Sequence, residues 1–234
     1  MSRSFLVAAA AALGAAILPV HAQLSEEAAK QAAQEVRLLI TEGTNVVGDL
    51  QPAINGSKTT KEQVAPDELV NQFKARYQKA AGMPLDTKTA GPVGDARRAY
   101  LQAFTSVVTK YQNNLVKGGQ DAFVPAFFRA QVLGEFNKSM RGTVQAYATN
   151  RDNELINGDW AVQKVMKASP LAGEVTQLMS TGKLDPVVKR HGNTVMGYYP
   201  MKLASGCVAC HAQNGLKQTE GAFGGALVTE IPVK

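Results

Sequence analysis

Val187-Val188-Lys189-Arg190-His191, the pair Gly192-Asn193 and Thr194-Val195-Met196-Gly197-Tyr198-Tyr199-Pro200-Met201-Lys202-Leu203 run almost directly into Cys207-Val208-Ala209-Cys210-His211. Two short β-branched and aromatic runs around a Gly-Asn pair predict two strands joined by a tight turn. The segment after them holds both cysteines of the chain, three positions apart, with a histidine directly behind the second. That spacing sets two thiols on one face of a single turn, the pattern of a covalent c-type haem attachment site. Each thiol adds across one porphyrin vinyl group, and His211 falls beneath the iron as the proximal ligand. The expectation is one haem c, held by Cys207, Cys210 and His211.

Other uses of a Cys-x-x-Cys pair fit less well. A thioredoxin-like pair follows a strand near the start of a βαβ unit, whereas this one lies near the C-terminus with histidine attached. A zinc site needs two further ligands, and the chain has no third cysteine and only 3 histidines. A disulfide across so short a loop stabilises little.

Outward from the motif, a Gly-rich loop follows and Gly225 to Val233 reads as a last strand. Gly142 to Asn150 has strand composition. Between them, Asp159 is placed to cap a helix holding Trp160, Val165 and Met166, and Pro170 to Thr181 forms another, ended by Gly182. Phe123 to Met140 presents Phe123, Phe127, Phe128, Val132, Leu133 and Phe136, interrupted by Pro125.

The earlier part is helical. From Glu26, residues Val36, Leu39, Ile40, Gly43, Val47 and Leu50 recur at three- and four-residue steps, with Pro52 and Gly56 as stops. Pro66-Asp67-Glu68 opens a second helix, with Leu69, Val70, Phe73, Tyr77 and Ala80 on one face and Gly82 at its end. Residues 83–94 read as a loop, and Asp95 starts a third helix bearing Tyr100, Phe104, Val107, Val108, Tyr111 and Leu115. The fold class is α+β, helices first and then a mixed unit with the haem motif between its last strands. A four-helix-bundle cytochrome is the alternative, but 23 Gly- and β-branched-rich residues follow His211 where a bundle needs its last helix.

The chain resembles a family of exported monohaem c-type proteins with a PAS-like domain, catalogued as a domain of unknown function. The residues that carry the likeness are Lys117-Gly118-Gly119, Asp121 to Arg129, Thr149 to Glu154, Tyr199-Pro200-Met201, the Cys-x-x-Cys-His motif, and Gly221 to Val228. It covers residues 95–234, the expected haem domain, and leaves 23–94 as an N-terminal helical region. The resemblance implies an antiparallel sheet flanked by helices with haem against the sheet, in proteins that serve as small electron carriers or as redox and gas sensors.

Residues 1–22 read as a signal peptide: Arg3, an apolar run from Phe5 to Leu18, and a small-residue cleavage site after Ala22. Export to the periplasm is the expectation, and it suits c-type haem attachment, which in bacteria takes place outside the cytoplasmic membrane. Removing this leader takes one of the 25 positive charges and none of the 19 negative ones, leaving +5. That modest charge suits an acidic redox partner. Scattered lysines and arginines argue against nucleic acid, and no second apolar run is long enough to cross a bilayer. No Ser-His-Asp set, free thiol or phosphate-binding Gly loop is present, so an enzyme is not expected.

The ligand opposite His211 separates the functions. Methionine there suits electron transfer, and an open position suits a diatomic gas. Met201 and Met196 lie on the strand leading to the motif, and His191 is the other histidine left after the leader. Met83, Met140, Met166, Met179 or no ligand stay open. Tyr198 and Tyr199 are candidates to hydrogen-bond a propionate or a bound ligand, or else simply pack. The sequence favours a one-electron carrier over a sensor, because no output domain follows the haem unit and a sensor needs a separate partner.

Overall fold

The computed structural model describes residues 24–117, 125–149, 155–156, 162–163, 185–203, 208, 212, 217 and 219–234. The leader, the expected helix at Pro170 to Thr181, and Cys207, Cys210 and His211 themselves lie outside these residues. Helices α1 (Glu26–Asn55), α2 (Pro66–Ala81), α3 (Pro92–Lys117) and α4 (Pro125–Ser139) come first. Strands β1 (Gln145–Thr149), β2 (Leu155–Ile156), β3 (Val162–Gln163), β4 (Val187–His191), β5 (Thr194–Lys202) and β6 (Phe223–Pro232) follow. They form one antiparallel sheet in the order β3-β2-β1-β6-β5-β4, so the fold is α+β as expected.

Ser25 caps α1, its Oγ accepting the Ala28 N–H at 3.2 Å, and Glu26 and Glu27 meet the positive end of the helix dipole. At 1.5 Å per residue this helix is roughly 45 Å long. It runs through Pro52, where the sequence suggested a stop. Gln51 and Ile54 are buried and hold the last turn, Gln51 Nε2 donates to Asn55 Oδ1, and Gly56 provides the cap. Helix α2 follows the expected bounds, although Ala80 at its end is exposed. Helix α3 starts one turn earlier than Asp95, at Pro92: proline is pre-set for the first helical turn, and the preceding Gly91 has φ +85°. By the same logic Pro125 opens α4 instead of interrupting it. Residues 162–163, expected in a helix, pair as a strand with β2 through Ile156↔Val162 and Leu155↔Gln163, a case of pairing overriding local pattern.

One hydrophobic core joins all four helices to one face of the sheet. Phe73 stacks on Phe104 at 4.9 Å between ring centroids, and Phe128 and Phe136 meet Phe104 and Tyr100 edge-on, tying α2, α3 and α4 together. Each such pair contributes about 0.5–1.5 kcal/mol beyond its buried area. Arg97 is buried among these helices, with Nε and Nη2 on the two Glu35 oxygens at 2.9 and 3.1 Å, while the Tyr77 hydroxyl donates to Glu35 Oε1 at 2.7 Å. Burial, then the Glu35 carboxylate, pushes the Tyr77 phenol up to about 12. Helix α1 packs on β5 and β6, so the N-terminal helices rest directly on the sheet. Asn137 of α4 holds β1 by both amide ends, donating to Ala146 O and accepting from Ala146 N–H.

Candidate functional site

The haem-type motif occupies the connection between β5 and β6, two central strands of the sheet. The base of that connection is closed by backbone hydrogen bonds: Leu203 N–H to Ala222 O and Gly221 N–H to Leu203 O, both 2.9 Å. Cys207 follows Leu203 by four positions in the chain. Val208 within the motif and Ala212 just after it are helical. A helical turn is the backbone form that sets two cysteines three apart on one side.

Side chains alternate along each strand, and residues paired directly across strands share a face. Val195, Gly197, Tyr199 and Met201 of β5 therefore face α1 and α4, together with Leu227, Thr229 and Ile231 of β6. Met196, Tyr198 and Pro200 face the other way, with Ala226, Val228 and Glu230, and with Val187, Lys189 and Tyr147 on the flanking strands. This far face has its own apolar cluster of Met196, Tyr198, Ala226 and Val228, flanked by Tyr147, Val187 and Phe223. Tyr198, Ala226 and Val228 are fully buried there. Strand β6 reads as the unbroken run Ala226-Leu227-Val228 because both its faces are buried.

This geometry sorts the candidate distal ligands. Met201 and Met196 lie on opposite faces of the sheet. Arg129 Nη1 of α4 donates to Met201 Sδ at 2.8 Å, on the helix side and close to the base of the motif connection. Met196 belongs to the far-face cluster. His191 sits where β4 turns into β5, opposite Thr194. Strand β5 rises roughly 26 Å from Thr194 to Lys202, which puts His191 at the end remote from the motif. Met140 is buried in the helical core and Met83 is exposed after α2. Met166 and Met179 lie outside the described residues, as do Arg151 and Asp152.

The two tyrosines also part. Tyr199 points to the helix side, beneath the Arg37 guanidinium at 5.4 Å and beside Thr229 across Gly197; burial pushes its phenol up to about 12. Tyr198 is on the far face; like that of Tyr199, its buried hydroxyl has no hydrogen-bond partner among the described residues. Burial alone raises its phenol well above the ordinary range, so it stays a protonated donor. Glu230, in one cross-strand row with Met196 and Lys189, is likewise shifted up by burial.

A cavity of about 590 Å³ lies elsewhere, between the start of α3, the α4–β1 turn and the end of β6, lined in part by Asp95, Arg98 and Arg141. Asp95 and Arg98 are paired with each other there. Among the described residues no three His, Cys, Asp or Glu side chains converge on a metal position, and no helix is long and apolar enough to cross a membrane. No protein-family model matches the chain, and neither the curated proteins nor the solved structures searched contain a match.

Proposed function

We propose that this chain is an exported, periplasmic monohaem c-type cytochrome that passes one electron at a time to a redox partner. The observation that carries the reading is the motif Cys207-Val208-Ala209-Cys210-His211 itself, in the connection between β5 and β6 whose base is closed by the Leu203 hydrogen bonds to Ala222 and Gly221. The residues fit a haem. Cys207 and Cys210 would supply the two thioethers and His211 the proximal nitrogen. The bound group supplies a one-electron iron couple; the protein supplies ligation, burial and orientation. A PAS-like domain is the specific form of the fold we propose. The placement of the C-terminal strand β6 between β1 and β5, with helices packed on one face, supports it.

In the carrier a methionine closes the sixth position. Met196 is on the far face, and Met201 serves only if Arg129 releases its sulfur. The second reading is a haem-based redox or gas sensor acting through a separate partner.

The test is an absorption spectrum of protein matured in an exporting host with c-type haem assembly, recorded oxidised, reduced, and reduced under carbon monoxide. A covalent haem lost in Cys207→Ala/Cys210→Ala, six-coordinate and indifferent to carbon monoxide, is the expected result. The distal ligand is then the residue whose alanine variant, Met201→Ala, Met196→Ala or His191→Ala, opens the iron. A five-coordinate or carbon-monoxide-binding iron selects the sensor, and absence of covalent haem overturns both.

A further inference from the structure

We propose that Met83 is an oxidation site: a two-electron oxidant of the peroxide class converts its thioether to the sulfoxide before it reaches Met140, Met196 or Met201, and the fold carries the change without loss of stability. The inference is independent of the haem reading.

Oxidation of a methionine by a dissolved oxidant follows the access of its sulfur to solvent. Met83 is 49% exposed and is the one large apolar side chain among the described residues that stands out in water. Met140 and Met196 are 6% and 4% exposed. Met201 is partly buried, and its Sδ already accepts a hydrogen bond from Arg129 Nη1 at 2.8 Å, which engages a sulfur lone pair.

The local backbone explains why Met83 is left in water. Helix α2 ends at Ala81, and Gly82 turns the chain away with φ +71° while its N–H donates to Gln78 O at 2.9 Å. An apolar residue just past such a turn often packs back on its helix, and Met83 does not. The loop that follows is held by other groups. Asp86 accepts from the Lys88 N–H and the Thr89 hydroxyl, Arg97 donates to the Asp86 carbonyl, and Arg98 donates to those of Thr87 and Thr89. Leu85 packs against the core. None of these contacts uses the Met83 side chain.

In the reaction a sulfur lone pair attacks one peroxide oxygen; the S–O bond forms as the O–O bond breaks. Sulfur is oxidised by two electrons, the peroxide is reduced, and its second oxygen leaves as water. At Met83 the polar product stays in solvent. The same product at Met140 or Met196 places a polar group among apolar side chains, which costs stability.

The experiment titrates the full exported chain with hydrogen peroxide in the presence of a metal chelator. Each stage is read by peptide mass spectrometry and by a thermal melt. Trypsin releases residues 80–88, a peptide in which Met83 is the only methionine. The expected result is one added oxygen on this peptide before Met140, Met196 or Met201 gains any, with Tm unchanged at that stage and falling only when the buried methionines follow. Met83→Leu should keep the wild-type Tm and lack the first step. Oxygen appearing on Met140, Met196 or Met201 as early as on Met83 overturns the site. A fall in Tm that tracks the Met83 sulfoxide and is absent from Met83→Leu overturns the claim that the fold carries it.

Discussion

On the helix side of the sheet, Val195, Tyr199, Leu227 and Ile231 belong to the same core as α1 and α3, and the charge buried within the helical layer is matched, Arg97 against both oxygens of Glu35. On the opposite side, Met196, Tyr198, Ala226 and Val228 are just as buried; each face keeps unpartnered hydroxyls, Tyr198 on this one and Tyr199 and Thr229 on the other, but this one adds a carboxyl that burial drives toward its neutral form. Equal burial therefore does not mean equal electrostatics: the helical layer carries a buried charge by pairing it, whereas burial on the far face disfavours one.

The largest effect that bears on this contrast comes from breaking the matched side. The Arg97 and Glu35 side chains are only 8% and 12% exposed, so Glu35→Ala strands a guanidinium and removes the acceptor of Tyr77. A loss of about 3–5 kcal/mol is expected, which for a domain of this size lowers Tm by roughly 10 °C in a thermal melt. Replacing both partners by apolar residues, Arg97→Met with Glu35→Leu, should recover most of it. A cost no larger than that of a surface change would show that the helical layer does not depend on this pair.

A smaller effect sharpens the division between the faces. A Cβ at Gly197 would lie 2.6 Å from Thr229 Oγ1 and 2.8 Å from the Tyr199 ring, both on the helix side. Gly197→Ala should cost about 1–3 kcal/mol through overpacking. Gly134→Ala, on an exposed turn of α4 with open space around it, should gain about 0.5–1 kcal/mol. Chemical denaturation of both variants checks the pair, and equal effects would show that Gly197 is not where the helix face is tight.

The smallest effect belongs to the far face. Burial holds the Glu230 carboxyl above its ordinary 4.5, so the folded chain keeps this proton more tightly than the unfolded chain does. Its contribution to stability is complete below 4.5 and is lost as pH rises through the folded-state value. Glu230→Gln should therefore melt higher than wild type at neutral pH, with the two curves converging below pH 4.5. A variant less stable than wild type at neutral pH would mean that the charged carboxylate is welcome there.

Much of the fold was legible because its signals are local. Leu69, Phe73 and Tyr77 recur at helical spacing, and Gly192-Asn193 marks the β4–β5 turn. Prolines were read as breakers at Pro52 and Pro125, yet one is carried through a helix whose last turn is buried and the other opens a helix. The strand at Val162–Gln163 escaped the sequence because its stability comes from pairing with Leu155 and Ile156 and not from its own pattern.

Sequence alone carries the proposed chemistry of the candidate site: two thiols and an imidazole at a spacing that is a property of one helical turn. The tertiary structure decided which face of the sheet each residue leading to that motif occupies. Met196 and Met201, five residues apart, and Tyr198 and Tyr199, adjacent, are interchangeable on paper. Strand alternation sends each pair to opposite faces, and only the packing of α1 and α4 says which face belongs to the helical core.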